Sequence, residues 1–61
     1  MERQDLTKWR KKYGLTQKQL ADFLKVRNMT VYRWESGMRS IPSMLPWALK
    51  GLESELSERE V

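Results

Sequence analysis

The sequence predicts an all-α fold in a single domain. Three observations carry that reading. Apolar residues recur at spacings of three and four and never alternate over a useful length. Gly14, Gly37 and Pro46 fall where one periodic run stops or the next begins. With 61 residues there is apolar material for one small core and no more.

The first helix is expected over Asp5 to Tyr13, with Leu6, Trp9 and Tyr13 on one face and Lys8, Lys11 and Lys12 on the other. Gly14 ends it, because glycine accepts the left-handed conformation that helix ends often need. Thr16 then caps the second helix, and Gln19 three residues later completes a capping box. Leu20, Ala21 and Leu24 line the inner face of that helix. The third helix runs from Asn28 to Ser36, with Val31 and Trp34 inward and Gly37 as its stop. Trp9 and Trp34 both fall on inner stripes and are expected to be largely buried.

A loop, Met38 to Pro42, leads to a fourth helix beginning between Ser43 and Pro46, since proline has no N–H to give and fits the first helical turn. This helix is expected over about residues 44–57, with Leu45, Ala48, Leu49, Leu52 and Leu56 as its apolar stripe and fraying beyond Leu56. Gly51 inside it costs about 1 kcal/mol relative to alanine, tolerable if another backbone packs close. Trp47 lies one position off the stripe. It either completes the edge of the core or shares an exposed apolar patch with Met44 and Gly51 that supports a weak homodimer through the C-terminal helix.

Composition removes whole classes of function. Without cysteine there are neither disulfides nor thiolate metal sites, and without histidine the commonest acid/base catalyst and metal ligand is missing. A domain this small has no room for an enclosed catalytic pocket, so a binding module is expected rather than an enzyme, with no cofactor or metal. Met1 to Asp5 are followed by no apolar run, nothing approaches a membrane span, and a cytoplasmic location is expected.

The net charge of +4 is unevenly placed. Residues 1–50 carry eleven Lys/Arg against four Asp/Glu, whereas residues 51–61 carry Arg59 against Glu53, Glu55, Glu58 and Glu60. A basic body with an acidic tail points to a polyanionic partner, although a charged surface also simply keeps a small protein in solution.

The second and third helices, joined by a short turn at Leu24-Lys25-Val26, have the geometry of a helix-turn-helix spanning about residues 16–36. Ala21 is small where the helices approach. Leu20, Leu24, Val26, Val31 and Trp34 supply the apolar crossing. The outward face of the third helix then holds Asn28, Met29, Tyr32 and Arg33, none of which a core wants. Such a helix fits a major groove about 12 Å wide, where arginine suits guanine, asparagine suits adenine and methionine can touch a thymine methyl. Lys11, Lys12, Lys18, Lys25, Arg27 and Arg39 surround that face with cations suited to phosphates.

The run LTQKQLADFLKVRNMTVYRWESG resembles the helix-turn-helix of the phage Cro/cI repressor family, also called the XRE family. The resemblance rests on Leu15-Thr16-Gln17, Leu20-Ala21 and Trp34-Glu35-Ser36-Gly37, with Leu6, Trp9 and Arg10 ahead of them, and spans about residues 6–42. It implies a compact bundle of four or five helices, the lambda-repressor-like fold. It also implies DNA binding, usually as a dimer on a two-fold operator. Thr16, Gln17, Lys18, Arg27 and Arg39 are thereby candidate phosphate contacts, and Asn28, Met29, Tyr32 and Arg33 candidate base readers. Gln17 can alternatively serve only the capping turn. Arg10 and Glu35 match a structural ion pair between the first and third helices.

The chain departs from the family pattern at the turn. Lys25 stands where glycine is usual, so left-handed backbone there stores about 1 kcal/mol of strain. Arg27 stands where a serine or threonine cap is usual. Asn28 is therefore either the cap of the third helix or a base reader. Larger family members add a separate oligomerisation or effector domain, leaving the fourth helix and tail for such contacts here.

Two functions are consistent with these residues. One is sequence-specific binding of double-stranded DNA by a small prokaryotic or phage regulator that occupies an operator. The other is a protein-interaction module that reuses the fold.

Overall fold

The computed structural model of the protein describes residues 1–59; Glu60 and Val61, the end of the acidic tail, lie outside them. Four helices follow one another, α1 (Arg3–Lys12), α2 (Gln17–Leu24), α3 (Asn28–Ser36) and α4 (Leu45–Arg59), and there is no strand among the described residues.

Local chemistry accounts for the boundaries. At the end of α1, Gly14 turns left-handed at φ 66°, and the Leu15 N–H reaches back to the Arg10 carbonyl at 3.1 Å. The end of α2 repeats this device with a different residue. Lys25 takes φ 58° and ψ 41°, and the Val26 N–H reaches the Ala21 carbonyl at 3.0 Å. The strain expected at Lys25 is therefore present, set against the same carbonyl capping that glycine gives at Gly14. Gly37, at φ 83°, closes α3, and the Arg3 side chain lies over it, donating to the Ser36 carbonyl at 3.1 Å. A Cβ at Gly37 would come within 2.9 Å of Arg3 Nη1.

At the start of α2, the Thr16 hydroxyl accepts the Gln19 N–H at 3.1 Å while the Gln19 amide oxygen accepts the Thr16 N–H at 2.8 Å. This is the reciprocal box expected from the sequence. Leu45 and Pro46 open α4, so proline sits where no intrahelical donor is needed.

Leu6, Leu20, Ala21, Val31, Trp34, Leu45, Leu49 and Leu52 form one buried core to which all four helices contribute. Several expectations change here. Trp34 is buried, but Trp9 is only partly so: its ring lies at the rim, 4.8 Å from the Tyr13 ring, where its indole N–H donates to Glu53 Oε1 at 2.7 Å. Ala48 is exposed rather than part of the α4 stripe. Trp47 is 74% exposed and belongs to the surface. No neighbouring backbone packs on Gly51, since a Cβ built there meets nothing within 4 Å. Nor does α4 fray at Leu56. That residue still packs against the core, and the helix runs on to Arg59, glutamate and arginine being good helix formers once a helix is nucleated.

Candidate nucleic-acid interface

Glu35 sits where α1, α2 and α3 meet. Arg10 on α1 grips it with two bonds, Nε to Oε2 at 2.7 Å and Nη2 to Oε1 at 3.0 Å, and its third nitrogen, Nη1, donates to the Leu15 carbonyl at 2.8 Å. The Thr7 hydroxyl donates to Glu35 Oε1 at 2.9 Å, and the Gln17 amide reaches the same oxygen at 3.5 Å. The ion pair expected between the first and third helices is thus formed, its side chains only 14% and 7% exposed. Burial pushes the Glu35 carboxyl up, but the bonds from Arg10, Thr7 and Gln17 together with the arginine charge outweigh it and hold the carboxyl below the usual range. The same bond to Glu35 raises Arg10.

This network fixes the start of α2 against α3. Gln17 lines a shallow open groove together with Asn28, Met29 and Tyr32. The N-cap of α3 is Arg27, in extended backbone with no side-chain cap bond, so Asn28 is the first helical residue and not the cap. Its side chain has no partner among the described residues. Met29 and Tyr32 are 51% and 45% exposed, and Asn28 and Arg33 are exposed beside them. One turn further on, Arg33 lines a second groove with Thr30, Arg39 and Ser40. The Arg39 N–H donates to the Arg33 carbonyl at 3.2 Å, tying the loop after α3 back onto that helix. The outward face is therefore divided, three candidate readers lying with Gln17 and the fourth beside Arg39.

The ends of both helices suit anions. The first N–H groups of α2 and α3, at Gln17 and Lys18 and at Asn28 and Met29, have no acceptor among the described residues, and Thr16, Lys18 and Arg27 stand exposed next to them. A family model described as helix-turn-helix matches residues 6–45 of the chain.

The chain belongs to the helix-turn-helix family.

The match covers the Cro/cI-type signature at Leu15-Thr16-Gln17 and Trp34-Glu35-Ser36-Gly37 and takes in α1 from Leu6 onward, α2, α3 and the first residue of α4. Membership gives this helix-turn-helix protein a DNA-binding role of the transcription-regulator type. No curated protein and no solved structure shows significant similarity to it. Among the described residues no helix is long and apolar enough to cross a membrane, and no group of acidic side chains is placed to hold a metal ion.

Sequence reasoning missed two positioning residues, Thr7 and Arg3. Thr7 precedes Arg10 by one turn on α1 and so shares its face, a signal available in the spacing. Arg3 lies 33 residues from its acceptor, and nothing local announces the contact.

Proposed function

We propose that this helix-turn-helix protein binds double-stranded DNA sequence-specifically and regulates transcription by occupying an operator, as a small cytoplasmic protein of prokaryotic or phage type. The observation that carries the reading is the exposed face of α3. It presents a hydrogen-bonding amide, a thioether, a phenol and a guanidinium without side-chain partners in the fold, between two helix starts with free N–H groups. In this reading Asn28, Met29, Tyr32 and Arg33 read base edges. Thr16, Gln17, Lys18, Arg27 and Arg39 hold phosphates on either side, and Glu35 orients Gln17 for its contact.

The two groups of residues fail differently. Arg33→Ala is expected to weaken binding to the preferred site by about 1 to 3 kcal/mol and to relax discrimination at one base pair. Arg27→Ala is expected to weaken all duplexes about equally and to reduce the salt slope by about one unit. Sites selected from a random duplex pool, followed by titration of every single-base variant, make the comparison. A folded Arg33→Ala protein that keeps full discrimination overturns the assignment of Arg33. A wild-type protein that prefers no site and ignores duplex at low salt leaves Met29 and Tyr32 as the anchors of a protein-interaction surface instead.

A further inference from the structure

We infer that Arg3, in the first turn of α1, is a further DNA-contacting residue, its guanidinium holding one backbone phosphate beyond those assigned to Arg39 and to the starts of α2 and α3. The inference rests on the DNA-binding reading of α3 and enlarges it. Met29, Arg33 and Gly37 follow one another at intervals of four along α3 and its cap, so they lie on one line of the outward face. The first two present side chains to solvent. Gly37 has none, and the Arg3 guanidinium takes that place: a Cβ built at Gly37 would meet Arg3 Nη1 at 2.9 Å and Cζ at 3.7 Å. An arginine from α1 thus continues the line that α3 begins, about 6 Å beyond Arg33 at about 1.5 Å of rise per residue.

Two adjoining grooves tie this position to the rest of the interface. Arg39 and Ser40 line one groove with Arg33 and Thr30, and the same two residues line the next with Arg3 and Gly37. Arg33, Arg39 and Arg3 therefore follow one another across the C-terminal end of α3. The second groove sets a single carboxylate, Glu2, against its two arginines, and among the described residues Arg3 forms no ion pair. Clustered cations repel one another, so the fold alone does not account for them. A polyanion laid across them turns that repulsion into attraction.

The ligand is a phosphate and not a base edge. A recognition helix reads bases from its first turns, where Asn28 to Arg33 lie, and meets the backbone at its far end, which here is Gly37. Arginine suits the place because its fork carries five donors. Nη1 is committed to the Ser36 carbonyl at 3.1 Å, while Nε and Nη2 make no hydrogen bond among the described residues. One side chain can therefore hold the end of α3 and a phosphate together. A lysine has the charge without the fork.

The test uses duplexes that carry a single uncharged methylphosphonate, moved one linkage at a time along a site selected by the wild-type protein. Neutralising the phosphate held by Arg3 is expected to weaken wild-type binding several-fold and to leave Arg3→Gln unaffected, while Arg27→Ala stays sensitive at that linkage. Arg3→Gln is also expected to reduce the salt slope by about one unit on selected and random duplexes alike, with base preference intact. Arg3→Lys should restore the slope but not the full affinity. Arg3 is exposed, so both variants are expected to keep urea midpoints near that of wild type. A residue that only braces α3 behaves otherwise. Arg3→Gln then lowers the midpoint, shifts preference at the base pair read by Arg33 and loses affinity at the same linkages as wild type. That pattern, or an unchanged salt slope, overturns the proposal. A wild-type protein indifferent to salt and to every linkage overturns the DNA-binding reading with it, a result distinct from the failure of Arg3 alone.

Discussion

Glu35 shows how much one carboxylate can organise. Two bonds from Arg10 and one from Thr7 hold it in place, and through its Oε1 it reaches Gln17 in the groove that Asn28, Met29 and Tyr32 line. Arg10→Met leaves a nearly buried charge unpaired and is expected to cost about 3 kcal/mol or more. The double change Arg10→Met with Glu35→Leu should cost much less, as read from urea midpoints. Acid should act on the same bond. Because the folded carboxyl is held below its unfolded value, its contribution is present in full above roughly pH 4.3 and is lost as pH falls through the lower folded value. Wild-type stability is therefore expected to fall below about pH 4.3, and Glu35→Gln, less stable at neutral pH, should show a flatter acid limb. Lys25 offers a second check at this scale. Lys25→Gly relieves left-handed backbone but frees the unfolded chain, so a net gain of up to about 1 kcal/mol is expected.

Among the elements, α3 places the one buried tryptophan in the core. Trp34 is 8% exposed, and Trp34→Ala is expected to cost about 3 to 5 kcal/mol, enough to unfold a domain of this size. A cooperative melt near that of wild type would contradict its place in the core. Trp9→Ala should cost less, because its ring stays at the rim. That contrast marks what the sequence made legible. The start of α2 and the stops of α1 and α3 could be read because caps are local chemistry: Thr16 with Gln19, and the left-handed Gly14 and Gly37. The outward face of α3 was legible because period alone sets direction. Depth was not, since Trp9 and Trp34 both point inward and only the packing of distant helices decides how far. The division of the candidate readers into two grooves was likewise hidden, because it depends on contacts between Gln17 and Glu35 and between Arg39 and Arg33.

For the whole molecule the charge asymmetry should set the response to salt. Lys18, Arg27 and Arg39 are three exposed cations at candidate phosphate positions, which corresponds to a log–log slope of about −3 per bound copy on duplex DNA. A slope near zero would remove phosphate contact from the reading. The three tryptophans, finally, stand in three different solvents: Trp34 in the core, Trp9 at the rim against a carboxylate, and Trp47 in water. The protein therefore carries its own optical reporters. Unfolding should red-shift the emission of Trp34, a soluble quencher should reach Trp47 first, and any helix laid over Trp47 should shield that one ring while the spectrum of the core stays as it was.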